Sequence, residues 1–332
     1  DTLEAKLATP AAIAAAAALA GDRFALFAEV PVDPDPQPLV AAIAAAGIHA
    51  KIRTGGVTPD AFPPPHDVVR FMRRCADYKK KTGHDLIDIF VFHGYPMTPQ
   101  LGWDNQAAFV HPTPELQEFR VRDVRKFWDE SYRDAETWMG KEGWANGNIA
   151  YVPLMRRWMK EAGWDVPIAI GEYDHAGPEG GIEISAAVAQ AESFAAFARS
   201  QVSYAMYWAD PRKHGPVYFA FKMFRNPDGK RTAVGDHLVI AQTSDDNSVD
   251  VYAFKDNQRK VTSFVVLNKR ASKGARIALD LGAAVPAQKA TRYEYSNANP
   301  KAIGELPPLD VSGSSINLSI APMSILRVDV KM

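Results

Sequence analysis

Residues 167–172 read Pro-Ile-Ala-Ile-Gly-Glu, and residues 86–93 read Leu-Ile-Asp-Ile-Phe-Val-Phe-His. Both are short apolar runs rich in β-branched and aromatic residues, a composition typical of buried strands in a parallel sheet. Three similar runs lie at residues 24–30, 50–54 and 204–208. Helical stretches separate the five runs, so the alternation predicts a parallel α/β architecture from residue 11 to about residue 210.

Helices are predicted between these strands, at residues 37–46, 66–82, 152–162 and 185–199. Gly47, Gly83 and Gly163 follow three of them, and glycine ends helices readily because it adopts the left-handed conformation. The Ala-rich residues 10–21 predict a further helix. In residues 97–149 the apolar residues follow neither the helical nor the strand period, which predicts a long loop with helical pieces. Such loops usually carry function.

The pattern of apolar and polar residues changes near His237. From there on, alternating apolar and polar residues are divided by turn signals such as Asp-Asp-Asn at residues 245–247 and Lys-Asp-Asn at residues 255–257. This pattern predicts an all-β module, a sandwich. We therefore predict two domains, a catalytic barrel-type domain at residues 1–236 and a β-sandwich domain at residues 237–332.

Composition restricts the classes of partner. The chain has 38 Lys and Arg against 39 Asp and Glu, so it shows no electrostatic footprint for nucleic acid or an anionic membrane. No apolar run is long enough for a membrane span. Cys75 is the single cysteine, which excludes an internal disulfide, and its surroundings predict a buried helix face rather than a nucleophile. G-x-S-x-G, H-E-x-x-H, P-loop and G-x-G-x-x-G motifs are absent.

Polar and aromatic side chains follow several predicted strands at the point where each strand ends. They are Glu29, His93 with Tyr95, Glu172 with Tyr173 and Asp174, and Trp208 with Asp210. In a parallel α/β barrel these ends meet at one face, where active sites form. Two carboxylates there are what glycoside hydrolysis requires. The alternative is that Glu172 and Glu29 are solvated or salt-bridged acids, and for Glu29 the nearby Asp33 and Asp35 favour that alternative.

Aromatic residues are abundant in the same part of the chain. Trp103, Trp128, Tyr173 and Trp208 are predicted to contact a substrate, because sugar rings present C–H faces that stack on aromatic rings. Core packing is the alternative for about half of the aromatic residues in this part of the chain. His93 at its strand end is predicted to orient a substrate hydroxyl or a catalytic carboxylate.

Five segments follow one another in a recognisable order. They are Ile-Asp-Ile-Phe-Val-Phe-His-Gly-Tyr-Pro at residues 87–96, Arg-Lys-Phe-Trp-Asp-Glu-Ser-Tyr at 125–132, Ile-Ala-Ile-Gly-Glu-Tyr at 168–173, Ala-Met-Tyr-Trp-Ala-Asp at 205–210, and Ala-Phe-Lys-Met-Phe-Arg-Asn with Asp-Gly at 220–229. This order of motifs resembles the family 44 glycoside hydrolases, which are endo-acting enzymes on β-1,4-glucans such as cellulose derivatives and xyloglucan. The likeness extends from about residue 86 to the C-terminus, and it rests on the ordered set rather than on any one motif.

The resemblance implies a fold, an activity and a location. The fold class is α/β, a (β/α)8 TIM-type barrel incomplete at its N-terminus and followed by an all-β sandwich. The activity is that of a secreted, extracellular, retaining endo-β-1,4-glycanase acting on a polysaccharide. Glu172 then ends strand seven as nucleophile, and Glu29 ends strand four as general acid/base. His93, Tyr95, Trp128, Tyr173, Trp208, Asp210 and Trp103 are the predicted substrate-binding residues.

The resemblance leaves cofactors open. No cofactor is expected to be required, and a structural calcium fits the resemblance. The sequence has no acidic run with the spacing of a defined calcium loop, so the metal content stays undecided.

Two features depart from the family pattern. Ala28 stands where the family has Asn before the acid/base glutamate, and Val30 separates that glutamate from Pro31. Barrel strands one to three have no counterpart, although such a barrel needs about 200 residues or more. The sequence is then part of a longer chain, or a partner such as a second copy completes the barrel, or the fold is reduced. Two alternative functions follow: a non-catalytic glycan-binding relic, and a glycosidase on mannan, xylan or an exopolysaccharide.

Overall fold

The computed structural model describes most of the chain. The described residues are 27–30, 51–54, 65–95, 111–133, 150–175, 182–208, 211–239 and 241–332, with the backbone alone at 27–30, 51–54 and 65–67. The predicted helices at residues 10–21 and 37–46 lie outside these ranges, as do Trp103 and Asp210.

A parallel sheet occupies the first part of the described chain. Its strands are β1 (Phe27–Val30), β2 (Lys51–Thr54), β3 (Phe90–His93), β4 (Ile168–Tyr173) and β5 (Ala205–Tyr207). They are hydrogen-bonded in the order β1-β2-β3-β4-β5, and every neighbouring pair is parallel. All five strands predicted from the apolar runs are confirmed. Sequential order with parallel pairing is what successive β-α-β units produce.

Helices connect and cover these strands. They are α1 (Pro65–Thr82), α2 (Pro114–Arg122), the 3-10 helix Asp123–Phe127, α3 (Tyr151–Ala162), α4 (Ile184–Arg199) and α5 (Pro216–Arg225). The helices predicted at residues 66–82, 152–162 and 185–199 are therefore confirmed within one residue. The helix α3 ends at Gly163, whose φ of 71° is left-handed, and the Gly163 N–H closes the last turn on the carbonyl of Lys160.

Amphipathic periodicity fixes how α3 packs. Tyr151, Met155, Trp158 and Met159 are buried, whereas Arg156 and its neighbour Arg157 are exposed. The buried positions recur at intervals of three and four residues, so they form one stripe along the helix. This stripe joins the core that also holds Phe90 and Phe92 of β3. The helix therefore packs on one face of the sheet.

An antiparallel sheet makes up the C-terminal part. Its strands are β6 (His237–Val239), β7 (Val249–Asp256), β8 (Val261–Asn268), β9 (Ala275–Tyr295), β10 (Gly304–Ile320) and β11 (Ser324–Lys331). They pair in the order β10-β9-β11-β8-β7-β6. The change of sequence pattern near His237 therefore coincides with the start of this sheet. The division into two domains at that residue stays a prediction.

The two faces of the antiparallel sheet pack against different layers. Along β7, the side chains of Tyr252 and Phe254 belong to the core shared with the helices. The side chains of Val251 and Ala253 belong to a second core, together with apolar residues of β9 and β10. Period-2 alternation sends neighbouring residues to opposite faces, so a single strand serves both cores. The first core is thus continuous from the parallel sheet, through α4 and α5, to the antiparallel sheet.

Other predictions concern single features. Cys75 lies on α1 with its side chain buried, and burial raises the pKa of its thiol to about 12, which confirms the structural interpretation. Residues 111–133 of the predicted long loop contain α2 and the 3-10 helix, so that part has more regular structure than a loop. Among the described ranges, no helix combines the length and hydropathy needed to cross a bilayer. The (β/α)8 barrel, predicted to be incomplete at its N-terminus, stays a prediction.

Candidate active site

The carboxyl ends of β3, β4 and β5 lie side by side and carry the candidate residues. Because the strands are parallel, the chain leaves all three at the same edge of the sheet. His93 is the last residue of β3, and Glu172 is the residue of β4 that pairs with it. The register of β4 is irregular against both neighbours at this point. Such bulges are frequent next to active sites, where they redirect a side chain.

Glu172 presents its carboxylate to two donors. The Tyr95 hydroxyl donates to Oε2 over 2.7 Å, and the Nδ1 atom of His93 lies 3.0 Å from the same oxygen. His93 is buried, and the side chain of Glu172 retains 15% of its surface exposed. The carboxylate is therefore fixed in orientation by its neighbours while solvent, or a ligand, can still reach it. A residue that attacks or protonates a substrate needs this combination.

The donors to Glu172 are themselves fixed. The Tyr151 hydroxyl donates to the carbonyl of Tyr95 over 3.3 Å, and the Gly94 N–H donates to the carbonyl of Glu172 over 2.9 Å. Gly171 leaves room for its neighbours, because a Cβ at residue 171 would lie 2.8 Å from Cγ1 of Val91 and 3.2 Å from the ring of His93. A larger residue there would require the side chains of Val91 and His93 to shift. The glycine in the Ile-Gly-Glu sequence is therefore a packing requirement of the site.

Glu29 lies on β1, at the far edge of the sheet from β5. In register it pairs with Arg53 of β2, which in turn pairs with Val91 of β3, and Val91 pairs with Ala169 of β4. The hydrogen-bonded row that starts at Glu29 thus reaches β4 three residues before Glu172. Only the backbone of Glu29 is described, so its role as acid/base stays a prediction.

The structure divides the predicted aromatic residues. Trp208 directly follows β5 and is 44% exposed, as a sugar-stacking residue must be. Tyr173 is buried, and its hydroxyl accepts from Gln190 over 2.8 Å within the core. Trp128 is half-buried against the core, with the guanidinium of Arg199 4.5 Å from its ring centroid. The placements of Tyr173 and Trp128 do not favour the predicted substrate contacts.

A cluster of polar side chains lies behind the strand ends, and the sequence did not predict it. The Tyr207 hydroxyl donates to Asp174 over 2.7 Å, and Arg120 donates to Ser185 over 2.8 Å. Burial lowers the pKa of Arg120 to about 10, while the charge of Asp174 acts in the opposite direction. Arg120 therefore stays charged at neutral pH and offsets the buried carboxylate. Asp174 was visible as a polar residue after a strand, but nothing in the sequence identified Arg120.

His175, next along the chain, is buried as well. Its Nε2 atom lies 2.5 Å from the Ser193 hydroxyl, and burial, assisted by the charge of Arg120, lowers the pKa of His175 to about 3. His175 is therefore neutral at physiological pH and supports the core. In the part of the chain that the structure describes, no three His, Cys, Asp or Glu side chains are grouped as a metal site, and the predicted calcium stays a prediction.

Comparison with known sequences identifies related enzymes. No protein-family model matches the chain. Endoglucanase A of Paenibacillus lautus is 27% identical over 190 residues, which are 57% of this chain and 26% of that protein. A β-mannanase/endoglucanase A of Caldicellulosiruptor saccharolyticus is 24% identical over 241 residues, which are 69% of this chain and 17% of that protein. The chain therefore spans a minor part of each of these relatives.

Solved structures share the fold. The family 44 endoglucanase of Clostridium thermocellum superposes with a TM-score of 0.76 at 18% identity, over 90% of this chain and 61% of that one. The family 44 xyloglucanase of Paenibacillus polymyxa superposes with a TM-score of 0.72 at 22% identity, over 89% of this chain and 59% of that one. The predicted resemblance to family 44 glycoside hydrolases is confirmed, and the relatives in sequence and in fold are glycoside hydrolases.

Proposed function

We propose that this chain is the catalytic part of a retaining endo-β-1,4-glycanase that hydrolyses glucan-type polysaccharides such as cellulose derivatives and xyloglucan. The observation that carries the proposal is the Glu172 carboxylate, which is held by Tyr95 and His93 at the end of β4 and is still partly exposed. The sequence relatives named as endoglucanases support the substrate class.

The reaction needs two carboxyl groups. Glu29, as the acid, would protonate the glycosidic oxygen while Glu172 attacks the anomeric carbon and forms a glycosyl ester with it. Glu29, now a base, would take a proton from water, which attacks the same carbon and releases Glu172. Retention of configuration follows from the two successive displacements. It requires a separation of about 5 to 5.5 Å between the carboxyl groups, against about 6.5 to 9.5 Å for inversion.

Strand register supports Glu29 as the partner. In an eight-stranded barrel with a shear of about 8 and a strand tilt of about 36°, a hydrogen-bonded row descends by about one residue for each strand crossed. Three strand-to-strand steps lead from β1, which carries Glu29, to β4, so the residue of β4 at the height of Glu29 lies about three positions beyond Ala169. That residue is Glu172. If the sheet curves as a barrel does, the two glutamates lie at the same height.

The test is hydrolysis of a panel of soluble β-glucan, xyloglucan, xylan and mannan. The wild type, Glu172→Gln and Glu29→Gln are compared, with Glu161→Gln as the matched control because Glu161 is an exposed carboxylate on α3. We expect both site variants to lose activity and the control to keep it. NMR of the first-formed reducing end should show the β anomer; the α anomer would contradict retention.

Mannan is the second candidate backbone. The Caldicellulosiruptor relative, which aligns with 69% of this chain, is named both a mannanase and an endoglucanase. In the same panel, hydrolysis of mannan at a higher kcat/KM than any glucan would select this alternative. A wild type that binds a polysaccharide and hydrolyses none would contradict the enzyme proposal and leave a glycan-binding protein. We also propose that the protein acts outside the cell, where such polymers occur.

A further inference from the structure

The end of β4 is restrained by more than the sheet itself. The register of β4 is irregular between Ile170 and Tyr173 on its β5 side, and its pairing to β3 shifts just before Glu172. Gly171 precedes Glu172, and a glycine restrains the chain less than any other residue. Pairing with His93 and the hydrogen bond from the Gly94 N–H hold the backbone of Glu172 on the β3 side. On the β5 side the regular pairing is interrupted, so the contacts there come from the residues that follow Glu172.

Two contacts on the C-terminal side tie this strand end to β5. The backbone N–H of Trp208 donates to the carbonyl of Tyr173 over 2.8 Å, and the Tyr207 hydroxyl donates to the carboxylate of Asp174 over 2.7 Å. Both donors come from consecutive residues of one chain segment, and both acceptors come from the two residues after Glu172. The pair of bonds therefore acts as a clamp between the end of β4 and the end of β5.

The Tyr207–Asp174 contact is built to persist. Asp174 is 2% exposed, and the Tyr207 ring packs edge-to-face on Tyr173 at 5.5 Å between centroids. Burial and the negative charge of Asp174 raise the pKa of Tyr207, so its hydroxyl remains a donor. A buried hydrogen bond to a carboxylate is stronger than one between neutral groups. Arg120 supplies the compensating positive charge.

We propose that Tyr207 and Asp174 are positioning residues that fix the distance between the Glu172 carboxylate and the exposed indole of Trp208. The inference rests on the proposed function, in which Glu172 attacks a sugar that Trp208 supports. Glu172 precedes Asp174 by two residues, and Trp208 follows Tyr207 directly. Loss of the clamp lets the nucleophile and the sugar-binding ring move relative to each other, while each keeps its own chemistry.

The experiment compares Tyr207→Phe with the wild type on the best substrate of the panel. The variant keeps the ring and loses the hydroxyl, so we expect kcat to fall roughly 10- to 100-fold with KM changed far less, since a misplacement of about 1 Å can cost that much. Tyr295→Phe is the matched control. Tyr295 is buried, whereas Tyr207 is partly buried, and the Tyr295 hydroxyl donates to the carbonyl of Pro300 over 3.0 Å. The control should lose comparable stability and keep the wild-type kcat.

A second variant covers the case in which Tyr207→Phe does not fold. Asp174→Asn keeps an oxygen acceptor for Tyr207 but makes it neutral and weaker, so we expect a smaller fall in kcat than for Tyr207→Phe. Wild-type kcat in either folded variant, while Glu172→Gln is inactive, would overturn the clamp and leave the proposed function standing. A wild type that hydrolyses no substrate would overturn both.

Discussion

Glu172 and Glu192 are two glutamates in contrasting settings, 20 residues apart in the chain. The side chain of Glu172 is 15% exposed, and its carboxylate accepts from the phenol of Tyr95 beside a histidine. The carboxylate of Glu192 is fully buried and accepts from the ammonium of Lys269 over 3.0 Å. A carboxylate that is partly exposed keeps some of its hydration and remains available for chemistry. A buried one requires a positive charge beside it, and it can only hold layers together.

The buried group joins three elements. Lys269, which follows β8, donates to Glu192 of α4, to Asp250 of β7 and to the carbonyl of Asp246. Two carboxylates share one ammonium, so the group carries a surplus negative charge if both are ionised. Burial, and next the charge of Glu192, raise the pKa of Asp250 to about 7. We infer that the pair of carboxylates retains one proton up to neutral pH.

The largest expected effect separates the two glutamates by function. Glu172→Gln should lower kcat by at least about 10³-fold, because an amide cannot form the glycosyl ester. It should leave the unfolding midpoint close to that of the wild type, since a carboxamide still accepts from Tyr95. For Glu192→Gln we expect the opposite pattern. The unfolding midpoint should change, and the folded protein should keep its kcat. Activity assays and urea titrations on both variants measure this; an inactive Glu192→Gln in its folded state would break the comparison.

Removal of the buried cation gives the next largest effect. Lys269→Met leaves two carboxylates buried without a counter-charge, so we expect a loss of about 3 to 5 kcal/mol in the free energy of unfolding at pH 8. Lys289→Met is the matched control, because Lys289 pairs with Asp310 on the surface. The control should stay close to the wild type. Urea unfolding of both variants decides; equal losses would show that Lys269 has no special role.

The retained proton predicts a pH dependence of stability. The folded state keeps a proton on the Glu192–Asp250 pair over the window from 3.8, the ordinary pKa of Asp, to about 7, whereas the unfolded chain releases it. The contribution of this pair to stability is therefore present at low pH and is lost as the pH rises through about 7. Asp250→Asn imitates the protonated form, so its stability should change less between pH 5 and pH 8 than that of the wild type. Urea unfolding at both pH values measures the difference, and an unchanged slope would contradict the shared proton.

Local pattern was sufficient to predict the five parallel strands and the helices α1, α3 and α4, because apolar period and glycine stops are local signals, whereas α5 was not predicted. Glu172 and Glu192 show what local sequence patterns can and cannot identify. Glu172 was predicted because it directly follows an apolar run, a relation between neighbours in the sequence. The role of Glu192 depends on Lys269 and Asp250, which are distant from it in the sequence, so no local pattern could identify it. Arg120 was missed for the same reason.

Tyr173 shows a signal that was available and not used. It is adjacent to Glu172 on β4, and neighbouring residues of a strand point to opposite faces. If Glu172 faces the site, Tyr173 must face the helices, and the structure places its ring against Phe197 of α4. Trp128 was not predictable in this way, because it follows a 3-10 helix whose orientation depends on tertiary packing.

A third glutamate completes the comparison and carries the smallest expected effect. Glu161 accepts from Arg73 over 2.9 Å, with both side chains more than half exposed. Water solvates both charges before and after the pair is broken, so Glu161→Gln should change the free energy of unfolding by less than about 1 kcal/mol and leave kcat unchanged. Urea unfolding in low and high salt measures the residual attraction. A loss as large as that of Lys269→Met would mean that burial does not govern what these ion pairs contribute.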